Sequence, residues 1–198
     1  MENTLIFIIM ALLAYLFGSI PFGFLVAKWQ GVDISQVGSG NIGATNVARN
    51  LGWKTGVLVG VLDFGKGYLP VILAKHFLTQ DWQILIISLM PVIGHIFSVW
   101  LNFHGGKGVA TIFGLLGGFF GIGYFLIFLL LWILAVWQVK LMSLVNLVVA
   151  LLIPFAFWLK YKELFFVLFG ILLCALIWWR HKENIKRLLA GNEHPINF

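Results

Sequence analysis

The residues best suited to chemistry form one run, Ser39-Gly40-Asn41-Ile42-Gly43-Ala44-Thr45-Asn46-Val47-Ala48-Arg49, set between two long apolar segments. Glycines expose backbone N–H groups, hydroxyl and amide side chains add donors, and Arg49 brings a planar guanidinium. These are the groups that hold a phosphate. Two further polar stretches interrupt the apolar sequence. One is Gly94-His95, followed by His104-Gly105-Gly106-Lys107-Gly108-Val109-Ala110-Thr111. The other is Arg180-His181-Lys182-Glu183-Asn184-Ile185-Lys186-Arg187, continuing to Gly191-Asn192-Glu193-His194. A phosphate cradle in so apolar a chain points to an anionic, lipid-related substrate.

Each of these stretches also has a plainer reading. The first run could be a flexible surface loop, but its alternation of small and amide residues is typical of loops that bind ligands. Gly105-Gly106-Lys107-Gly108 is not a P-loop, because no serine or threonine directly follows the lysine and no strand precedes it. It reads as a glycine turn at a helix N-terminus, where free N–H groups and a nearby lysine attract phosphate. His95, beside Pro91 and Gly94 in an apolar stretch, reads as a hydrogen-bonded bridge between helices or as a functional group. His181 and Asn184, spaced i, i+3, share a helix face, as part of a site or as the polar end of the last span. Asp63 and Lys66 have the same spacing inside a span. Intramembrane charges suggest function, but their opposite signs favour a structural ion pair.

The elements that must position these residues are membrane spans. Hydrophobic residues are 61% of the chain and charged residues 10%, too apolar for a soluble core. Apolar runs of the ~20 residues needed to cross a bilayer recur at about 4–27, 54–74, 82–101, 109–137, 143–159 and 164–179. The first has Glu2 as its only early charge and no basic n-region, so it is expected to be retained and not cleaved as a signal peptide. Pro21, after Gly18-Ser19, should bend it. Trp29, Trp53, Trp82, Trp100, Trp137, Trp158 and Trp178 mark span ends, as in an aromatic belt. The single cysteine, Cys174, excludes an internal disulfide, and the five histidines lack metal-ligand spacing. The formal charge of +6 suits an anionic substrate. Nucleic acid is a poor partner, because the basic residues sit in short loops.

The region 109–137 decides the topology, since Gly117, Gly118, Gly121 and Gly123 cluster in its middle. If it crosses twice, Lys28, Arg49, Lys54, Lys107, Lys140, Arg180, Lys182, Lys186 and Arg187 share one side. Only Lys75, Lys160 and Lys162 then take the other. If it crosses once, the same residues divide evenly. The positive-inside rule selects the double crossing. The expectation is an all-α protein of seven spans, with the N-terminus outside and the C-terminus cytoplasmic. All three polar stretches then face the cytoplasm.

Gly18-Ser19-Ile20-Pro21-Phe22-Gly23, residues 39–49, Asp63-Phe64-Gly65-Lys66-Gly67, Gly94-His95, residues 103–111 and residues 184–193 together resemble the bacterial integral-membrane acyl-phosphate:glycerol-3-phosphate acyltransferases, the PlsY family. The resemblance runs nearly end to end. It implies one transmembrane catalytic domain over 1–198 in the bacterial inner membrane. It implies transfer of a fatty acyl group from acyl phosphate to glycerol 3-phosphate, giving lysophosphatidic acid at the start of phospholipid synthesis. The expected partners are acyl phosphate, glycerol 3-phosphate and membrane lipids, with no cofactor and no metal. The catalytic candidates are Ser39, Asn41, Thr45, His95 and Lys107. The substrate-binding candidates are Gly40, Gly43, Asn46, Arg49, His104, Gly105, Gly106, Ser143, His181, Asn184, Glu193 and His194.

The residues fit that chemistry on their own terms. Both substrates carry phosphate, which calls for cations and N–H donors. Attack on the acyl carbonyl builds an oxyanion that oriented N–H groups stabilise. Acyl phosphate is already activated, so direct transfer is simpler than an acyl-enzyme on Ser39. His95, His181 and His194 are candidate bases, but motifs rich in phosphate binders and poor in carboxylates favour a donor phosphate oxygen as proton acceptor. A transporter gated by Asp63 and Lys66 and a non-catalytic scaffold are the alternatives. The topology gives a first test. Single cysteines at positions 40, 107 and 190 should all be protected from an impermeant thiol reagent in intact cells. Labelling at 190 but not at 40 would contradict seven spans.

Overall fold

The computed structural model describes residues 2–196, which are all-α with no strand. The helices are α1 Glu2–Ser19, α2 Phe22–Trp29, α3 Ala44–Leu51, α4 Trp53–Phe77, α5 Asp81–Ile96, α6 Val109–Phe120, α7 Ile122–Val139, α8 Met142–Tyr161, α9 Leu164–Arg180 and α10 Lys182–Leu189, with a 3-10 turn at Val99–Leu101. Five stretches among the described residues are long and apolar enough to cross a bilayer: Thr4–Trp29, Trp53–Phe77, Asp81–Leu101, Ile122–Val139 and Met142–Tyr161. α9 with α10 makes a sixth, bent by 62°. α6 has 12 residues, roughly 18 Å of helix against a hydrocarbon core of about 30 Å.

The breaks fall where the backbone demands them. Pro21 lacks an N–H and fixes φ, so the first span divides between Ser19 and Phe22. The long fourth region divides at Gly121, whose φ of +96° only glycine adopts easily. The last span turns at His181, which ends α9 and precedes α10. His181 and Asn184 therefore do not lie along one straight helix, as their i, i+3 spacing suggests. They sit at a bend. The marked tryptophans Trp29, Trp53, Trp82, Trp100, Trp137, Trp158 and Trp178 are all exposed, as headgroup anchors must be.

The chain gathers into two compact units, Met1–Phe125 and Leu126–Phe198. Lipid gives apolar helices no hydrophobic reason to associate, so packing depends on close approach and on small residues. In the first unit a Cβ on Gly67 of α4 would overlap the Thr111 carbonyl of α6, and one on Gly114 would overlap the Phe64 carbonyl. One on Gly118 would press within 2.7 Å of Val71 Cβ. Lys75, in the last turn of α4, donates from Nζ to the Gly118 carbonyl at 2.9 Å, capping the C-terminal end of α6. α1 meets α5 in the same way, with Gly18 against the backbone of Pro91 and Gly94 against Tyr15 and Ser19. In the second unit Gly170 of α9 lies against Pro154 of α8, and Trp132 Nε1 donates to Asn146 Oδ1 at 2.9 Å.

These contacts make a direct prediction. Gly67→Ala should lower the thermal unfolding midpoint in detergent by an amount equivalent to about 1–3 kcal/mol, the usual cost of overpacking. Gly65→Ala, in the same helix with nothing within 4 Å of the new Cβ, should be neutral or slightly stabilising. Equal behaviour of the two variants would contradict the α4–α6 contact.

Candidate active site

The first polar turn is built by side chains that bind its own backbone. Asp33 Oδ1 accepts from the Ser35 hydroxyl at 2.6 Å and the Ser35 N–H at 3.1 Å. Those bonds hold the Asp33 carboxyl below its ordinary range. Asn46, 2% exposed, lies beneath the turn. Its Oδ1 accepts from the Ser39 N–H at 3.0 Å and from Asn50 Nδ2 at 3.2 Å. Its Nδ2 donates to the carbonyls of Ile34, at 3.2 Å, and Val37, at 3.0 Å. An amide side chain has two donor and about two acceptor positions, so the loop saturates Asn46. Asn41 Oδ1 accepts the Gly43 N–H at 2.8 Å and leads the chain into α3. Gly38 and Gly40 flank Ser39 with φ of +60° and +67°. A side chain at 38 would also overlap the Asn46 amide oxygen. Ile34, Ile42 and Val47, with Ala27 and Val59, form the apolar floor. Ser39, Gly40 and Arg49 are exposed above it, and Thr45 is half-buried in the first turn of α3.

The second turn is fastened to the end of α5. The N–H groups of Gly105 and Gly106 donate to the carbonyls of Ile96 and His95, both at 3.0 Å. A Cβ on Gly105 would overlap the His95 carbonyl, and one on Gly106 would overlap His95 Nε2. His95, 5% exposed, thus lies directly behind the turn. On its other side, His95 Nδ1 is 3.0 Å from Lys66 Nζ and 3.7 Å from Asp63 Oδ1. Lys66 and Asp63 are paired at 2.8 Å. The approach to the turn is strained: Asn102 and Phe103 have φ of +49° and +63°. Exposed His104 sets Nδ1 2.6 Å from the Asn102 carbonyl. Lys107 is half-buried, two residues before α6.

The third group lies in the second unit. Glu193, its side chain 6% exposed, accepts from Asn184 Nδ2 and Arg187 Nε, each at 2.8 Å. Burial pushes its carboxyl up, but the bonds from Asn184 and Arg187, the Arg187 charge and the Ser143 hydroxyl outweigh that and hold it below the ordinary range. His181 is buried at the bend, with Nδ1 2.7 Å from the Ile177 carbonyl. His194 is exposed.

The family model for glycerol-3-phosphate acyltransferase matches residues 8–191. The chain belongs to the glycerol-3-phosphate acyltransferase family. A relative of that name from Carboxydothermus hydrogenoformans is 43% identical over 190 residues, covering 96% of each chain. One from Thermus thermophilus is 45% identical, covering 93% of this chain and 92% of the relative. The crystal structure of PlsY (YgiH), an integral membrane glycerol 3-phosphate acyltransferase, in its glycerol 3-phosphate form, superposes with a TM-score of 0.89 at 39% identity. That match covers 96% of both chains. Its lysophosphatidic acid form gives 0.87 at 38%. The chain is therefore an integral membrane acyltransferase, and the transporter and scaffold alternatives fall away.

Within this acyltransferase the expected site residues form three groups. Ser39, Gly40, Asn41, Gly43, Thr45, Asn46 and Arg49 make the first turn and its helix. His95, His104, Gly105, Gly106 and Lys107 make the second. Asn184 and Glu193 are bonded in the third, with the Ser143 hydroxyl beside them. Sequence reasoning singled out neither Arg187 as the partner of Glu193 nor Lys66 as the partner of His95. In both cases the signal was a polar or charged group in a setting that requires a counterpart.

Glu193 supplies the prediction. Its folded value lies below the unfolded one, so its contribution to stability is present above the ordinary glutamate range and lost as pH falls through the folded value. Glu193→Gln should be less stable than the parent at neutral pH by about 1–2 kcal/mol, the scale of a charge-assisted bond. The gap should close on acidification below the ordinary glutamate range. Thermal unfolding of both proteins across pH reads this. A gap independent of pH would show that the carboxylate charge contributes nothing.

Proposed function

We propose that the chain transfers a fatty acyl group from acyl phosphate to the 1-hydroxyl of glycerol 3-phosphate, giving lysophosphatidic acid and phosphate. The reaction takes place at the cytoplasmic face of a bacterial inner membrane. On this reading α6 and α7 each cross, giving seven spans with the N-terminus outside. The observation that carries the proposal is the saturated Asn46 clamp. It fixes the backbone of the first turn while Ser39 and Gly40 remain exposed at its crest. An anion site of this kind needs donors already in place, so that no reorganisation is required when charge arrives. The glycerol 3-phosphate in the similar PlsY structure and the net positive charge of this chain agree with an anionic substrate.

In the transfer itself, the 1-hydroxyl oxygen attacks the acyl carbonyl carbon. The carbon–oxygen bond to phosphate breaks, and the departing phosphate takes the hydroxyl proton. The Ser39 hydroxyl stabilises the oxyanion, with Asn41 and Thr45 ordering the turn. Arg49 grips one phosphate through its planar fork, and Lys107, with the Gly105-Gly106 turn, acts on the other as a point charge.

Purified protein in detergent tests this reading. It should convert acyl phosphate and glycerol 3-phosphate to lysophosphatidic acid without vesicles, while palmitoyl-CoA gives no comparable turnover. Ser39→Ala should lower catalytic efficiency, and mass spectrometry should find no acyl adduct on the parent protein incubated with acyl phosphate alone. Arg49→Lys and Lys107→Ala should each lose on the order of a hundredfold in kcat/KM, the value of one charge-assisted phosphate contact. Their unfolding temperatures should be unchanged. A stoichiometric adduct on Ser39, or comparable use of palmitoyl-CoA, would overturn the mechanism.

A further inference from the structure

We propose that Asp63, Lys66 and His95 form a positioning relay, in which His95 is held neutral with its proton on Nε2 as the rigid backing of the second glycine turn. The proposal rests on the reading of that turn as substrate-binding. It assigns a working role to a charge pair that spacing alone presents as structural.

The argument starts at Lys66, which is 1% exposed. An ammonium has three donors and no acceptor. Lys66 Nζ has three neighbours to receive them: Asp63 Oδ1 at 2.8 Å, the Ile20 carbonyl at 2.9 Å and His95 Nδ1 at 3.0 Å. The Phe22 ring lies 5.3 Å from the same nitrogen and adds a further favourable contact. His95 Nδ1 must therefore offer a lone pair. An imidazole whose Nδ1 accepts carries its proton on Nε2. The charged imidazolium is disfavoured, because it would turn an N–H toward an ammonium 3.0 Å away in a buried site.

Nε2 in turn faces Gly106, where no side chain fits. The carbonyls of His95 and Ile96 hold the N–H groups of Gly106 and Gly105. The turn before Lys107 is thus fixed both by the backbone and by the ring of one residue, and the ring is fixed by Lys66. A buried ion pair is weak support for stability, since apolar replacements are often as stable. Its work here is to set one orientation and one tautomer. Such a histidine is no general base: Nε2 already holds a proton and Nδ1 is occupied. This agrees with proton transfer to the donor phosphate.

Nitrogen-15 NMR of histidine-labelled protein in detergent tests the tautomer without substrate, with His95→Gln assigning the signal by subtraction. A neutral ring with unprotonated Nδ1 and protonated Nε2 is expected. The opposite tautomer, or an imidazolium at neutral pH, would overturn the relay. Kinetics test positioning. The amide of Gln reaches the place of Nε2, whereas that of Asn stops near Nδ1. His95→Gln should keep KM for glycerol 3-phosphate within about threefold, and His95→Asn should raise it about tenfold or more, as a displaced binding turn requires. Equal KM values in the two variants would remove the orienting role. The paired variant Asp63→Leu/Lys66→Met should unfold at a higher temperature than Lys66→Met alone yet keep a raised KM. A paired variant with the parent's KM would leave the cluster a structural ion pair only. If the protein used another substrate, the kinetic arm would have no signal while the NMR result would stand, so the two readings fail separately.

Discussion

A helix cannot be broken at membrane depth unless something takes up the carbonyls it releases, because lipid offers no donor. The first span is broken by Pro21, and the third ends short of its loop. The structure answers each break with a donor from elsewhere in the same unit. The Ser98 hydroxyl donates to the Ser19 carbonyl, Lys66 to that of Ile20 and the Tyr15 hydroxyl to that of Phe97. The Lys66 bond has the widest consequences. A lysine placed there to satisfy a carbonyl needs a counter-ion, which Asp63 supplies one turn earlier in the same helix. Its remaining donor reaches His95, and His95 carries the second glycine turn. The break in one helix and the shape of a loop more than eighty residues away are parts of a single hydrogen-bond system.

Glycine gives the unit its dimensions. Gly67 and Gly114 let α4 and α6 approach until backbone meets backbone, and Gly118 makes room for the Val71 side chain. Gly105 and Gly106 allow the chain just ahead of α6 to lie against the end of α5. In the first turn the same economy of atoms works with an amide. Asn46 takes the place of a strand partner, bonding to Ile34, Val37 and Ser39 from beneath. Neither turn relies on a large apolar core for its shape. Both are ordered by hydrogen bonds that exist before any ligand arrives, and preorganised dipoles of this kind stabilise developing charge without a reorganisation cost.

What the sequence made legible follows the range of the interactions involved. Spans, tryptophan anchors, the break at Pro21, the division near Gly121 and the pairing of Asp63 with Lys66 all depend on local composition or on spacing within one turn of helix. They are readable from the string. The clamp formed by Asn46 is only partly so. Its backbone partners in the loop lie seven to twelve residues away, and an amide in a polar motif looks the same whether it faces a ligand or its own backbone. The joining of Lys66 to His95 spans 29 residues and that of Lys66 to Ile20 spans 46. Only helix packing brings them together. The bend at His181 was hidden because no proline or glycine marks it. The chain there passes from an apolar to a strongly polar helix, and the 62° turn follows that change of surroundings.

The distribution of charge bears on how the proposed transfer would work. Asp63 is paired with Lys66 and Glu193 with Arg187, and Asp33 is bonded within its own turn. These carboxylates serve the protein's own structure, so none is poised as a base toward an incoming hydroxyl. His95 is turned to Lys66 on one side and to Gly106 on the other. What the two polar stretches offer instead is the exposed Ser39 hydroxyl and the cations Arg49 and Lys107. Such a site can hold two anions and polarise a carbonyl but is poorly equipped to remove a proton. A donor that carries its own basic oxygens supplies the missing function. An acyl phosphate brings both the activated carbonyl and the acceptor for the proton, whereas a thioester brings only the carbonyl. On the proposed reading, the paired carboxylates and the two cations point to the same kind of substrate.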